Sequence, residues 1–258
     1  MSASATLIAL NTVVRREIVR IMRLWMQTLI PPAIAMALYF VVFGTLIGDR
    51  IGTFEGGFTY MQYITPGLVM MCIITNSYSN TSSSFFFIRF NRAAEEMLVS
   101  PMPNWTILLG YVIGSVARGL VVGMLVLLIS LLFTSLHITH PHIAILSALL
   151  GATIFSLIGF INALYAKTLD DIGHVSTYIL TPLAYLGGVF YPVSMLNEPW
   201  QDISRINPIL HMIGAFRYGV LGVEGTTIGT SFAVMLALVA GLSMLALTLL
   251  DRGVGIRS

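Results

Sequence analysis

Charge is what this sequence has least of. Only 9% of its 258 residues are Asp, Glu, Lys or Arg, against 57% that are hydrophobic, whereas a soluble domain keeps about 25% charged residues on its surface. Lysine is nearly missing: Lys167 is the only one, and the other twelve basic residues are arginine. A P-loop needs Gly-x-x-x-x-Gly-Lys-Ser/Thr, whose lysine reaches the β- and γ-phosphates. Tyr165-Ala-Lys167-Thr-Leu-Asp170 has none of those glycines, so any ATP must be hydrolysed by another subunit. Cys72 stands alone, which excludes an internal disulfide and a Cys-based zinc site. No basic run is long enough to follow a phosphate backbone, and a net charge of +2 gives no reason to expect nucleic acid. The absences leave an all-α polytopic membrane protein.

What is present is long uncharged runs. Residues 24–48, 56–88, 119–166, 172–197 and 225–250 hold no Asp, Glu, Lys or Arg, and 97–117 joins 119–166 through Arg118 alone. About 20 apolar residues at 1.5 Å each cross a hydrocarbon core of ~30 Å. The 119–166 run is long enough for a span, a turn and a further span, the turn being marked by Leu136-His-Ile-Thr-His-Pro-His142. Six spans follow, over 26–48, 63–86, 105–134, 143–166, 172–191 and 229–250. With the N-terminus inside, nine basic residues fall on cytoplasmic segments, and Arg50, Arg205 and Arg217 fall outside. That bias predicts both termini in the cytoplasm, and the short loops suit a bacterial inner membrane. Four arginines ahead of the first span, and Pro31-Pro32 near its start, argue against a cleavable signal.

Residues 4–24 read as a helix lying on the membrane. At about 100° per residue, Leu7, Leu10, Val14, Ile18, Ile21 and Trp25 form one stripe, with Arg16, Arg20 and Arg23 opposite. Such a helix belongs at the headgroup boundary, arginines toward phosphates and cytosol; a plain positive-inside anchor is the alternative.

The second span contains ten residues, 75–84, without one aliphatic side chain. Asn76 and Asn80 share a face, and Tyr78 lies between them. Helix packing and a pathway lining both satisfy such a run. In the third span Gly110/Gly114 and Ser115/Gly119/Gly123 are small-xxx-small ladders. Arg118 beside them requires partners such as Asn76, Asn80 or Asn162, or an anionic headgroup. It serves either as a hydrogen-bond hub or as a substrate contact. No span carries Asp or Glu, which disfavours a proton- or sodium-coupled carrier.

Between the second and third spans, residues 89–101 form a short helix with Arg92 and Glu96 four apart. Phe90, Ala94, Met97 and Leu98 offer an apolar side, and Pro101 and Pro103 end it. It is suited to a partner groove, or equally to an ordinary connector.

These stretches resemble the ABC-2 type permeases, the membrane subunits of ATP-binding-cassette exporters. The likeness runs over nearly the whole chain. It is carried by Arg92-Ala-Ala-Glu-Glu-Met-Leu-Val-Ser-Pro101, Asp171-Ile-Gly-His-Val-Ser-Thr-Tyr-Ile-Leu-Thr-Pro182, Gly187-Gly-Val-Phe-Tyr-Pro192, Leu196-Asn-Glu-Pro-Trp200, Asn207-Pro208 and Phe216-Arg-Tyr218. The resemblance implies a homodimer of six-span subunits (the ABC-2, or type V, exporter fold), each docked on one of two copies of an ABC ATPase subunit that binds ATP and Mg. The permease itself binds no cofactor. It also implies that Arg92, Glu95, Glu96, Leu98, Ser100 and Pro101 lie in the coupling helix. Short re-entrant helices over 192–218 would then cap the pathway, with Gly187, Gly188, Pro192, Trp200 and Pro208 shaping the cap. The substrate expected is a lipophilic molecule or an amphiphile with an apolar part.

Two other classes compete. An intramembrane hydrolase would need a motif such as Gly-x-Ser-x-Gly or His-Glu-x-x-His, and neither occurs; His174 then reads as structural. His137, His140 and His142 could chelate a metal, yet beside Pro141 they read more simply as polar turn residues, and no metal or catalytic site is expected. A channel or scaffold independent of ATP is the second.

Overall fold

A computed structural model describes residues 3–44, 57–91, 102–223, 225 and 227–255. Its regular elements are helical: α1 Ala3–Arg23, α2 Trp25–Val42, α3 Tyr60–Phe90, α4 Asn104–Ser130 and α5 Pro141–Tyr165. A broken segment follows, α6 Leu169–Val175, a π turn Ser176–Leu180 and α7 Thr181–Leu186. After a 3-10 turn at Val193–Met195 come α8 Glu198–Ile206, α9 Pro208–Leu221 and α10 Ile228–Asp251.

Four of these helices, α2, α4, α5 and α10, are long and apolar enough to cross a membrane. At 31 residues α3 is longer than any of them, reaching about 46 Å at 1.5 Å per residue, but its polar run dilutes its apolar character. A capping box of Thr59 and Gln62 starts it. It is the centre of the bundle, packed on α4, α5 and α9, while α1 and α2 lie along α4 and α10 lies on α5.

Glycines set how close these helices come. A Cβ at Gly119 of α4 would stand 2.9 Å from the Ile73 carbonyl oxygen of α3, and one at Gly159 of α5 would stand 2.5 Å from that of Tyr78. The central helix is therefore gripped between bare backbone faces on both sides. The two small-residue ladders of α4 serve different neighbours. Gly119 and Gly123 meet α3, whereas Gly110 abuts Val13 and Gly114 abuts Glu17 of α1.

Several observed bounds differ from those expected. The fifth segment begins at Leu169, where Thr168 and Asp171 form a capping box, and stops at Leu186 instead of 191. Gly187 and Gly188 end it, Gly188 with φ +73° in the left-handed region. Ahead of Pro182 a π turn interrupts the helix and lets the Thr181 N–H and hydroxyl both reach the Ser176 carbonyl, so the chain enters the proline already re-registered. Helix α4 closes at Ser130, with turns over 131–134. Pro199 and Pro208 open α8 and α9 at their first turns. With 9 and 14 residues, those helices reach only about 14 and 21 Å, short of a ~30 Å core. Arg92, Glu95, Glu96, Leu98, Ser100 and Pro101 lie outside the described residues.

Candidate functional site

One carboxylate organises the interior where α1, α3 and α4 meet. Glu17 is the only acidic residue of α1 and is 1% exposed. It accepts hydrogen bonds from the Ser84 hydroxyl at 2.9 Å and an ion-paired N–H of Arg20 at 2.8 Å, with Arg16 at 3.9 Å. Arg20 also donates to the Asn80 side-chain oxygen at 2.8 Å. Arg118 donates to that same oxygen at 3.1 Å, and the Asn80 amide donates to the Ser115 hydroxyl at 2.8 Å. Arg16 donates to the Tyr111 hydroxyl at 2.6 Å and lies over its ring. Three guanidiniums and one carboxylate thus form a single connected network. Burial pulls Arg20 below its ordinary pKa, and Glu17 opposes that shift.

The arrangement is anchored at both the backbone and the side chains. Val13 sits against Gly110 and Glu17 against Gly114, so α1 advances along α4 in the same direction over this stretch. Arg16 and Arg20 each bond into the bundle, Arg16 at the Tyr111 hydroxyl and Arg20 at Glu17 and Asn80, while Arg16 keeps 45% of its side chain exposed and both also line the groove along α1. The apolar stripe stays outside, with Leu7, Ile18 and Trp25 exposed and Arg23 exposed beside it. The sequence offered a signal for Glu17, because Val13, Glu17 and Arg20 share one face and Gly110/Gly114 needed a helix to fill them.

Of the partners expected for Arg118, only Asn80 is found. Asn76 donates to the Cys72 carbonyl and Asn162 to the Tyr78 hydroxyl at 2.7 Å, while Tyr78 donates to the Ile172 carbonyl. The Arg118 Nε is buried with no partner among the described residues. Much of the 75–84 run bonds back to its own helix: Thr75, Thr81, Ser82 and Ser83 donate to carbonyls three or four residues earlier. Tyr78, Asn80 and Ser84 are the members that reach across to other elements.

Both flanks of the 92–101 segment are tied down. Arg89 donates to the carbonyls of Ala163, Leu164 and Ala166, closing the C-terminal end of α5. Asn104, the first residue of α4, donates to Asp251 at the end of α10 at 2.7 Å. Neither link is visible in a periodicity argument.

At the opposite end of α3, Arg217, which the charge count places on an outside segment, is 5% exposed and ties the α7–α9 stretch together. It donates to the Gly188 carbonyl at 2.7 Å, the Tyr63 hydroxyl at 3.1 Å and the Tyr63 carbonyl at 3.3 Å, with its guanidinium 4.0 Å from the Tyr63 ring centre. Asn207 ties the start of α9 to the Leu183 carbonyl at 2.6 Å. Gly67 leaves room for the Val189 backbone against α3. Pro192 lines a cavity of about 550 Å³ with His211 and Arg217, and Trp200 is half-exposed on α8. His140 stacks on Tyr218, and among the described residues no cluster of three metal-ligating side chains occurs.

Four helices long and apolar enough to cross a membrane, packed round a charged buried junction, make this a membrane-embedded helical bundle. The family match agrees: residues 8–221 fit the ABC-2 type transporter model, and the chain belongs to that family. It is 49% identical to the inner membrane transport permease YadH of Escherichia coli K12 over 251 residues, 97% of this chain and 98% of that protein. It is 27% identical to nodulation protein J of Rhizobium meliloti over 191 residues, 72% of this chain and 71% of that one. Nodulation protein J of Neorhizobium galegae is 24% identical over 191 residues, with the same shares covered.

Proposed function

We propose that this chain is the membrane-spanning permease subunit of an ATP-binding-cassette exporter in a bacterial inner membrane. It works as a homodimer, with both termini cytoplasmic, and moves an amphiphile with an apolar part. Six crossings are proposed: the four long apolar helices, α3, and the α6–α7 segment with its π turn. The pieces after Leu186 are too short to cross and form the re-entrant cap.

The single observation that carries this reading is the family match over residues 8–221, joined to near full-length likeness to a transport permease. The absence of a P-loop in the sequence assigns hydrolysis to a separate subunit holding ATP and Mg. The coupling segment, with Arg92, Glu95, Glu96, Leu98, Ser100 and Pro101, docks on that subunit. Its flanks at Arg89 and Asn104 pass displacement to the ends of α5 and α10, because both are hydrogen-bonded there. The α1 helix, locked to α3 and α4 through Glu17, moves with them.

The experiment is purification of the tagged chain with the ATPase encoded beside it, followed by reconstitution. A P-loop protein of about 30–35 kDa is expected to copurify. Replacing Glu95 and Glu96 by alanine is expected to weaken assembly and lower ATP turnover by the complex. Unchanged assembly and turnover would remove the coupling role.

A further inference from the structure

Four of the twelve arginines stand within two and a half turns of α1. A groove of about 710 Å³ runs along that helix, lined by Arg15, Arg16, Arg20 and Arg23 together with Asn11 and Leu24 among others, and no carboxylate is part of its lining. Glu17 points the other way, into the bundle, where Ser84 and Arg20 already occupy it. The side chains of Arg15 and Arg23 make no hydrogen bond or ion pair among the described residues. The local balance is therefore strongly positive, and like charges gathered on one groove favour an anion between them.

The kind of anion follows from the chemistry around it. All four cations are arginines, whose planar forks match phosphate oxygens two at a time. At the same place α1 meets α2, and the large apolar side chains Met22, Leu24, Trp25 and Met26 are exposed. A half-exposed tryptophan beside a basic groove marks the headgroup level, and hydrocarbon laid along α2 would continue from it.

We propose that this groove binds the phosphate of an anionic amphiphile drawn from the cytoplasmic leaflet, its headgroup held by Arg15 and Arg23 with Arg16 and Arg20 and its chains lying on α2. The proposal rests on the reading of α1 as a helix at the inner leaflet and is independent of any coupling to an ATPase.

The test uses the full chain in detergent, with bound lipid counted by native mass spectrometry. The probes are phosphatidylglycerol, phosphatidylcholine of the same acyl chains, and inorganic phosphate. Phosphatidylglycerol is expected to bind in preference to phosphatidylcholine. Arg15→Gln with Arg23→Gln is expected to weaken it about 25-fold, each arginine contributing about fivefold near an anionic headgroup. Raised salt should erode the difference. These two residues lie outside the Glu17 network, and an unchanged unfolding midpoint checks that the variant folds. Should millimolar inorganic phosphate displace phosphatidylglycerol, the phosphate site is upheld and the requirement for hydrocarbon is overturned. Equal binding of phosphatidylglycerol by the double variant, or equal binding of phosphatidylcholine by the wild type, would overturn the proposal.

Discussion

Replacing Glu17 by alanine should cost more than any other single change to a charged residue of α1. The carboxylate is almost fully buried, 2.8 Å from Arg20, and accepts the Ser84 hydroxyl. Its removal leaves Arg20 beside Arg118, both donating into one Asn80 oxygen, with no anion nearby among the described residues. Stranding one partner of a buried pair costs about 3–5 kcal/mol. The Arg16 pair adds little, because at 3.9 Å its side chain is 45% exposed and such pairs contribute about 0–1 kcal/mol. Glu17→Gln retains an acceptor for Ser84 and loses the charge, so about 1.5–3 kcal/mol is expected, the range for a hydrogen bond to a charged group. The assay is denaturant unfolding of the purified chain in a fixed detergent, with a double-mutant cycle against Arg20→Ala. The cycle should return a coupling of at least about 1–2 kcal/mol, within the range for residues in one network. If Glu17→Ala unfolds within about 0.5 kcal/mol of wild type, the level of an ordinary surface substitution, the junction does not hold α1 and the reasoning fails.

Three further outcomes follow from packing and from the α7–α9 stretch. Gly159→Ala puts a methyl 2.5 Å from the Tyr78 carbonyl and should destabilise by about 1–3 kcal/mol as α3 and α5 separate, whereas Gly241→Ala in α10 meets nothing within 4 Å and should gain up to about 1 kcal/mol of helix propensity. Unfolding of the two variants side by side checks both. Arg217→Lys keeps the charge but not the fork that spans Tyr63 and Gly188; hydrogen exchange should rise over 187–206 while α3 and α4 stay protected.

Much of the bundle was legible because it rests on length and apolar runs, which a helix in a bilayer must have. The α2, α4, α5 and α10 helices are each long and apolar enough to cross a membrane, and the end expected at 48 for the first span lies outside the described residues. The bonds of Arg16 and Arg20 into the bundle are not legible from the stripe alone. Hydrophobicity places Leu7, Ile18 and Trp25 on one side, yet the docking face is chosen by the bare glycines of α4 and by the fit of Glu17 to Ser84 and Arg20. A guanidinium among apolar residues must find an oxygen, which leaves Asn76, Asn80, Asn162 or an anionic headgroup open for Arg118; the bond observed is to Asn80. Charge bias places Arg217 on an outside segment and records which side of the membrane a residue is on, not whether it is buried. The π turn before Pro182 has no sequence marker beyond the proline itself.

The measurement closest to the central claim is ATP hydrolysis and substrate-dependent turnover by the purified chain, alone and with its nucleotide-binding companion, in the same proteoliposomes. Turnover that appears only with the companion present, and falls when Glu95 and Glu96 are replaced, is the predicted result. Turnover by the 258-residue chain by itself would contradict it.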